Sequence, residues 1–134
     1  MATPHRIAML AFALTPLTLN TALAQSVQNT LAGMVAQVSK NLPMMVNADV
    51  QATAVAASGN RIMYKYNVLK PASRINVSQL KQEHYDNSLN AMCSNPGIAN
   101  LLKQGAVVMY QFYDNRNVFL FDMALTQNDC STKR

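Results

Sequence analysis

The chain has 134 residues, of which 50% are hydrophobic and 13% charged, with 11 Lys plus Arg against 6 Asp plus Glu and a formal charge of +5. That apolar share sets it apart from a disordered polyelectrolyte, and basic residues scattered from Lys40 to Arg134 do not form the stripe that tracks a nucleic-acid backbone. Two cysteines, nine methionines and no tryptophan complete the constraints.

Residues 1–24 have the form of a secretory signal peptide. Arg6 supplies the positive start, residues 7–19 are largely apolar, and Ala22-Leu23-Ala24 presents the small-x-small cleavage pattern. Cleavage between Ala24 and Gln25 is expected, leaving residues 25–134 as a single domain that is periplasmic or secreted. The apolar stretch is broken by Pro16 and Asn20 and is shorter than the roughly 20 residues a membrane span needs, so stable membrane insertion is not expected. In an oxidising compartment, an even cysteine count in a small domain predicts one disulfide, Cys93 to Cys130.

Ser26 is placed to cap a helix whose apolar stripe runs through Val27, Leu31, Met34, Val35, Val38 and Leu42, and Pro43 ends it. Residues 49–57 form a small-residue strand with Val50, Ala52, Ala54 and Ala56 on one face. After the tight connection Ser58-Gly59-Asn60, Ile62, Tyr64, Tyr66 and Val68 alternate with polar neighbours, which predicts a hairpin. Residues 71–76 read as a loop. Val77, Leu80, His84, Leu89 and Met92 mark a second helix reaching Cys93, and Asn95-Pro96 starts a short third helix that Gly105 ends. A second hairpin turns at residues 114–117 and returns with Phe119, Phe121, Met123 and Leu125 facing the helices, and Cys130 lies just beyond that strand. The predicted fold is α+β in the order α-β-β-α-α-β-β: a four-stranded antiparallel sheet of two hairpins, with helices on one face and one disulfide.

Candidate chemistry is sparse. His84 is the only histidine beyond the signal, and Glu83 and Asp86 point elsewhere on a helix, so Lys81 and Ser88 are its surface neighbours. No serine lies in Gly-x-Ser-x-Gly or Ser-x-x-Lys, the glycines form no phosphate loop, and the His and carboxylates fall short of a zinc ligand set. The expectation is a protein without catalysis, cofactor or metal. Met44 and Met45 beside Pro43 are candidates to line an adaptable groove between the first helix and the sheet. Tyr64, Tyr66, Tyr110 and Tyr113 lie on strands, where aromatic rings serve either as core or as a recognition surface.

Leu42-Pro43 after a helix, the small-residue strand, Gly59, Tyr66-Asn67, Cys93-Ser94-Asn95-Pro96, Leu102, Gly105, Tyr110, Asp122 and Cys130 form a pattern spanning nearly the whole domain. It resembles small exported proteobacterial proteins of uncharacterised function and, more distantly, the beta-type pilotins that assist outer-membrane secretins in type II secretion. That resemblance implies an α+β domain braced by a Cys93–Cys130 bridge and a groove that receives a helix of a protein partner. Pilotins carry a lipid-bearing cysteine after the signal, whereas Gln25 occupies that place here. The expected function is a protein-binding accessory domain whose partner is a protein or peptide of the cell envelope. The rival is an inhibitor or immunity protein that acts on an envelope hydrolase or toxin through an exposed loop at residues 114–117.

Overall fold

The computed structural model describes residues 24–132. Most of the predicted leader, residues 1–23, lies outside the described residues, and Ala24 and Gln25 fall within the first helix. That helix, α1, covers residues 24–39, with Val27 and Leu31 buried and Met34, Val35 and Val38 half-buried. The predicted stripe holds through Val38, but the helix stops at residue 39, so Leu42 lies beyond it and Pro43 is not what ends it. Ser26 is a helical residue rather than the cap, and its carbonyl accepts a hydrogen bond from Thr30 Oγ1 at 2.9 Å.

Five strands form one sheet: β1 (Met44–Met45), β2 (Val50–Ser58), β3 (Arg61–Val68), β4 (Val107–Tyr113) and β5 (Phe119–Leu125), in the spatial order β1-β2-β3-β4-β5. The four-stranded antiparallel expectation is therefore corrected on two counts. The extra strand, β1, pairs Met44 with Ala52 and Met45 with Gln51, and β3 pairs with β4 in parallel. The parallel junction follows from the connection. The chain leaves β3 through a 3-10 turn (Ala72–Arg74), α2 (Val77–Ser94) and α3 (Pro96–Lys103), and that helical excursion carries it back to the end at which β3 began. There the Val107 amide donates to the Asn60 carbonyl at 2.9 Å, and Asn60 Nδ2 donates to the Gly105 carbonyl at 2.7 Å. These bonds fix the start of β4 against the β2–β3 turn.

The turn and cap residues behave as their chemistry dictates. Gly59 and Gly105 adopt φ of +59° and +98°, which favour glycine. Asn76 Oδ1 accepts from the Gln79 amide to start α2, and Asn95 Oδ1 accepts from the Gly97 and Ile98 amides to start α3, with Pro96 in the first turn.

Alternation gives the sheet two unlike faces. Val50, Ala52, Ile62, Val68, Val108, Tyr110, Phe112, Phe121, Met123 and Leu125 are buried and form the core with Val27, Leu31, Met92 and Leu102. Their neighbours on the other face are half-buried or exposed. Two bulges shift the predicted pattern. Between Ala52 and Ala54 the register of β2 slips, so that Val55 rather than Ala54 pairs with Tyr64. In β5 the partners run Phe112 to Phe121 and Tyr113 to Phe119, leaving Leu120 as the additional residue. Phe119, expected to face the helices, is therefore on the opposite face, where it is exposed and meets the Tyr113 ring edge-on at 5.6 Å.

Cys130, expected just beyond the last strand, belongs there to a short helix, α4 (Gln127–Thr132). Asp129 Oδ2 accepts from the Thr126 amide at 2.8 Å while the Asp129 amide donates to the Thr126 carbonyl, a reciprocal cap. The predicted bridge is present: Cys93 and Cys130 are disulfide-bonded, with Cα atoms 5.5 Å apart. Alongside it, Tyr85 donates its phenol proton to Asp129 Oδ1 at 2.8 Å, so α2 and α4 are joined both covalently and by a hydrogen bond, which pushes the Tyr85 pKa up.

Candidate functional site

The centre of the helix-side face is aromatic. Tyr64 and Tyr66 on β3, Tyr110 and Phe112 on β4, and His84 on α2 form one contiguous cluster. Tyr64 stacks on Tyr110 at 5.5 Å, Tyr66 meets Phe112 edge-on at 5.2 Å, and the His84 ring lies edge-on to Tyr110 at 4.4 Å and to Phe112 at 4.8 Å. Phe112 is fully buried and Tyr110 nearly so. Tyr64 and Tyr66 are only half-buried, although β3 is the middle strand of five and these residues point toward the helices. The helical layer thus leaves the middle of β3 open. Among the described residues neither phenol oxygen has a hydrogen-bond partner, and neither is sealed from solvent, so both can donate to an incoming group. Burial raises the pKa of Tyr64 and, with the neighbouring phenols Tyr110 and Tyr64 adding to it, of Tyr66, so both stay neutral.

His84 sits where its chemistry is restrained. Burial pushes its pKa down to about 4, so the ring is neutral at ordinary pH, and its Nε2 is 3.1 Å from the Ser88 Oγ one turn on. The flanking carboxylates do not reach it. Glu83 accepts from Gln79 Nε2 at 2.9 Å and Asp86 from Gln82 Nε2 at 3.0 Å, both along the outer side of α2. A serine and a neutral imidazole without an orienting carboxylate, wedged among aromatic rings, make a packing contact rather than a nucleophile and its base. Among the described residues no three His, Cys, Asp or Glu groups gather to hold a metal.

The six predicted contact residues separate. Tyr64, Tyr66 and Tyr110 come together beneath α2, and Tyr113 lies on the other face with the Lys65 ammonium 4.7 Å above its ring. Met44 and Met45 are both exposed on the edge strand but face opposite ways, Met44 in register with Ala52 and Tyr66, Met45 with Gln51 and Asn67. The cleft beside α1 opens onto α3 rather than the sheet: about 480 Å³ lined by Thr30, Met34, Ile98 and Leu101. A second cleft of about 500 Å³ lies where the 47–50 bend meets the start of α2, lined by Val50, Val68, Ile75 and Leu80 with Lys70 and Glu83. Sequence reasoning missed this one because it assembles from four separate segments.

The 114–117 turn is tethered through its first residue, and Asn115, Arg116 and Asn117 are exposed. Asp114 is buried, and its carboxylate accepts from the Val118 and Arg116 amides at 2.8 Å each and from the Ala72 amide at 3.2 Å. The Val118 and Arg116 amides hold its pKa below the usual carboxylate range against the opposing effect of burial. Asn67 Nδ2 adds bonds to the Asp114 carbonyl and to Asn117 Oδ1, both at 3.1 Å. The turn is thus anchored at its first residue and exposed over the next three, and nothing in its geometry points to a bound hydrolase or toxin.

Three solved structures share this architecture. A protein described as "a putative secreted protein" from Pseudomonas aeruginosa superposes with a TM-score of 0.68 at 18% identity, covering 81% of this chain and 96% of its own. The pilotin of the Vibrio vulnificus type 2 secretion system gives 0.72 at 15% identity, covering 84% and 99%. The type II secretion system pilotin of Vibrio cholerae gives 0.66 at 16% identity, covering 82% and 97%. At these identities the likeness is one of fold. No curated protein sequence matches the chain. Among the described residues no helix is long and apolar enough to cross a membrane. A family model does match residues 20–131, and the chain belongs to the family described as "Putative quorum-sensing-regulated virulence factor".

Proposed function

We propose that the chain is a pilotin-like accessory domain, exported and cut between Ala24 and Gln25, that binds a protein of the cell envelope and performs no chemistry. The observation that carries this reading is the half-open pair Tyr64 and Tyr66 at the middle of the central strand. Aromatic rings with free phenol donors supply both apolar area and orientation-setting hydrogen bonds, the combination enriched at protein-binding hot spots. The fold shared with two type II secretion pilotins supports it further. The partner segment is an amphipathic helix, of the kind a secretin would offer, whose apolar face lies over Tyr64 and Tyr66 while Met44 meets its flank.

A photo-crosslinking amino acid at position 64 or 66, and at Ala124 on the opposite face for comparison, tests this in cells of the native host. The expected result is one envelope protein captured from 64 and 66 and absent from 124. Capture that is equal at all three positions, or none from 64 and 66, overturns the reading.

A further inference from the structure

The sheet face turned away from the helices carries a pattern of its own. Its residues fall in register across the three adjacent strands β3, β4 and β5: Met63 beside Met109 beside Ala124, then Lys65 beside Gln111 beside Asp122, then Asn67 beside Tyr113 beside Phe119. No helix among the described residues packs there, yet Phe119 is 51% exposed and Met63, Met109 and Tyr113 contribute further apolar surface. Lys65, whose ammonium lies over the Tyr113 ring at 4.7 Å, and Asp122 carry opposite charges, and among the described residues neither has an ion-pair partner, the one ion pair there being Lys70 with Asp49. Two strand spacings, about 10 Å, separate the backbones of Lys65 and Asp122, and the two are not paired with each other.

We infer that this face is the interface of a two-fold dimer, with a second copy of the chain as its occupant. The charge pattern is self-complementary. A two-fold axis lying along β4 keeps that strand facing its own copy and exchanges β3 with β5. Lys65 of each copy then lies over Asp122 of the other, twice per interface, and the two Gln111 amides meet at the axis, where each can donate to and accept from the other. The same rotation sets the long Met63 over the small Ala124 and brings Tyr113 and Met109 onto their own counterparts, so bulk meets space as well as charge meeting charge. Two sheets stacked this way with their strands nearly aligned are an ordinary packing arrangement. The helix-side aromatic strip stays open in both copies, so the dimer neither needs the proposed partner nor blocks it.

Charge reversal gives a test that a merely structural role could not pass. Sedimentation equilibrium on protein expressed from the full sequence is expected to show a weak, micromolar dimer that loosens as ionic strength rises. Lys65→Glu and Asp122→Lys should each raise the dissociation constant at least about tenfold, because each places like charges together twice. Mixed in equal amounts, the two variants should associate with one another: the reversed charge at position 65 of one chain meets the reversed charge at position 122 of the other, and the untouched Lys65 meets the untouched Asp122. Both positions are on the helix-free face, and circular dichroism checks that each variant is folded; should either fail to fold, Gln111→Glu, which places two carboxylates at the axis, takes its place as the disrupting variant. A monomer at all concentrations, variants that dimerise as well as the native chain, or singly reversed variants that do not recombine would overturn the inference. Loss of the dimer with crosslinking from positions 64 and 66 intact would leave the proposed function standing, so the two readings fail separately.

Discussion

Acidification should destabilise the protein through His84, and the structure sets the size and the pH window of the effect. The ring is pressed edge-on against Tyr110, Phe112 and Tyr66 and faces no carboxylate, so burial lowers its pKa from 6.5 to about 4. In the unfolded chain it titrates near its ordinary value. Above about pH 6.5 both states hold a neutral ring and the contribution is fully present; as pH falls from 6.5 toward 4 the unfolded state takes up the proton first and stability is lost; below 4 no further change comes from this residue. A shift of this size corresponds to about 3 kcal/mol for a fully shielded group, and solvent screening of a ring that is only partly covered reduces this to about 1–2 kcal/mol. His84→Phe keeps the edge-on contacts and removes the titration. It leaves Ser88 without the imidazole, a cost of about 1 kcal/mol at neutral pH that the hydroxyl can recover in part by turning to the carbonyl one turn back. Urea unfolding of both proteins across about pH 7.5 to 4.5 should therefore show a steeper loss for the native chain, by about 1–2 kcal/mol. An equal loss in the two proteins, or an imidazole NMR titration near the ordinary histidine value, would refute the reasoning.

Other outcomes follow from the bracing at either end of the sheet. Cys93→Ser should cost up to about 4 kcal/mol on the chain-entropy model, given a sequence separation of 37, and a shift in denaturation midpoint worth less than about 1 kcal/mol would show that the bridge is not what holds α4. Asp129→Ala removes the cap of α4 and the acceptor of Tyr85, with an expected loss of about 1 kcal/mol or more in chemical denaturation, and an unchanged midpoint would count against the cap. Asp114→Ala should release the 114–117 turn, seen as faster hydrogen exchange at the Arg116 and Val118 amides. Because the Asp114 pKa is lowered in the folded state, the native turn should hold above about pH 4 and loosen as pH falls below it; exchange independent of both changes would refute the tether.

Local signals are readable from the residues and arrangement is not. Asn95-Pro96, Gly59 and Gly105 declare a cap and two left-handed turns by their own chemistry, and the Ile62, Tyr64, Tyr66, Val68 alternation fixes which face of β3 is apolar. β1 escapes a sequence reading, because two residues show no period. The parallel pairing of β3 with β4 depends on where two helices carry the chain, which is a tertiary property. Phe119 departs from the expected face because one extra residue, Leu120, inverts everything on the turn side of it, and nothing in an apolar run marks the bulge. The α4 cap is legible in retrospect: Thr126 and Asp129 have the spacing of a capping box. Alternation groups Tyr64, Tyr66 and Tyr110, but which of them stays half-open is decided by how far the helices reach across the sheet.

That distribution of closed and open regions has a mechanical consequence. At one end of the fold, the disulfide and the Tyr85–Asp129 bond clamp α2 to α4, and at another the Asp114 carboxylate and the Asn67 amide lock the β4–β5 turn to the chain leaving β3. Between them, Tyr66 is held by His84, Phe112 and Tyr110, and Tyr64 by Tyr110, so the two rings have their orientations set before any partner arrives. A surface ordered in advance does not give up side-chain entropy on binding, which can otherwise cost about 0.5–1.5 kcal/mol for each immobilised side chain. The clamps lie away from the open strip, so weakening one should reduce affinity by loosening the rings rather than by removing a contact. Binding by the Cys93→Ser protein should accordingly weaken with a less favourable entropy, measured by calorimetry against the captured partner under conditions where the variant is still folded. An unchanged entropy of binding would separate the brace from the site.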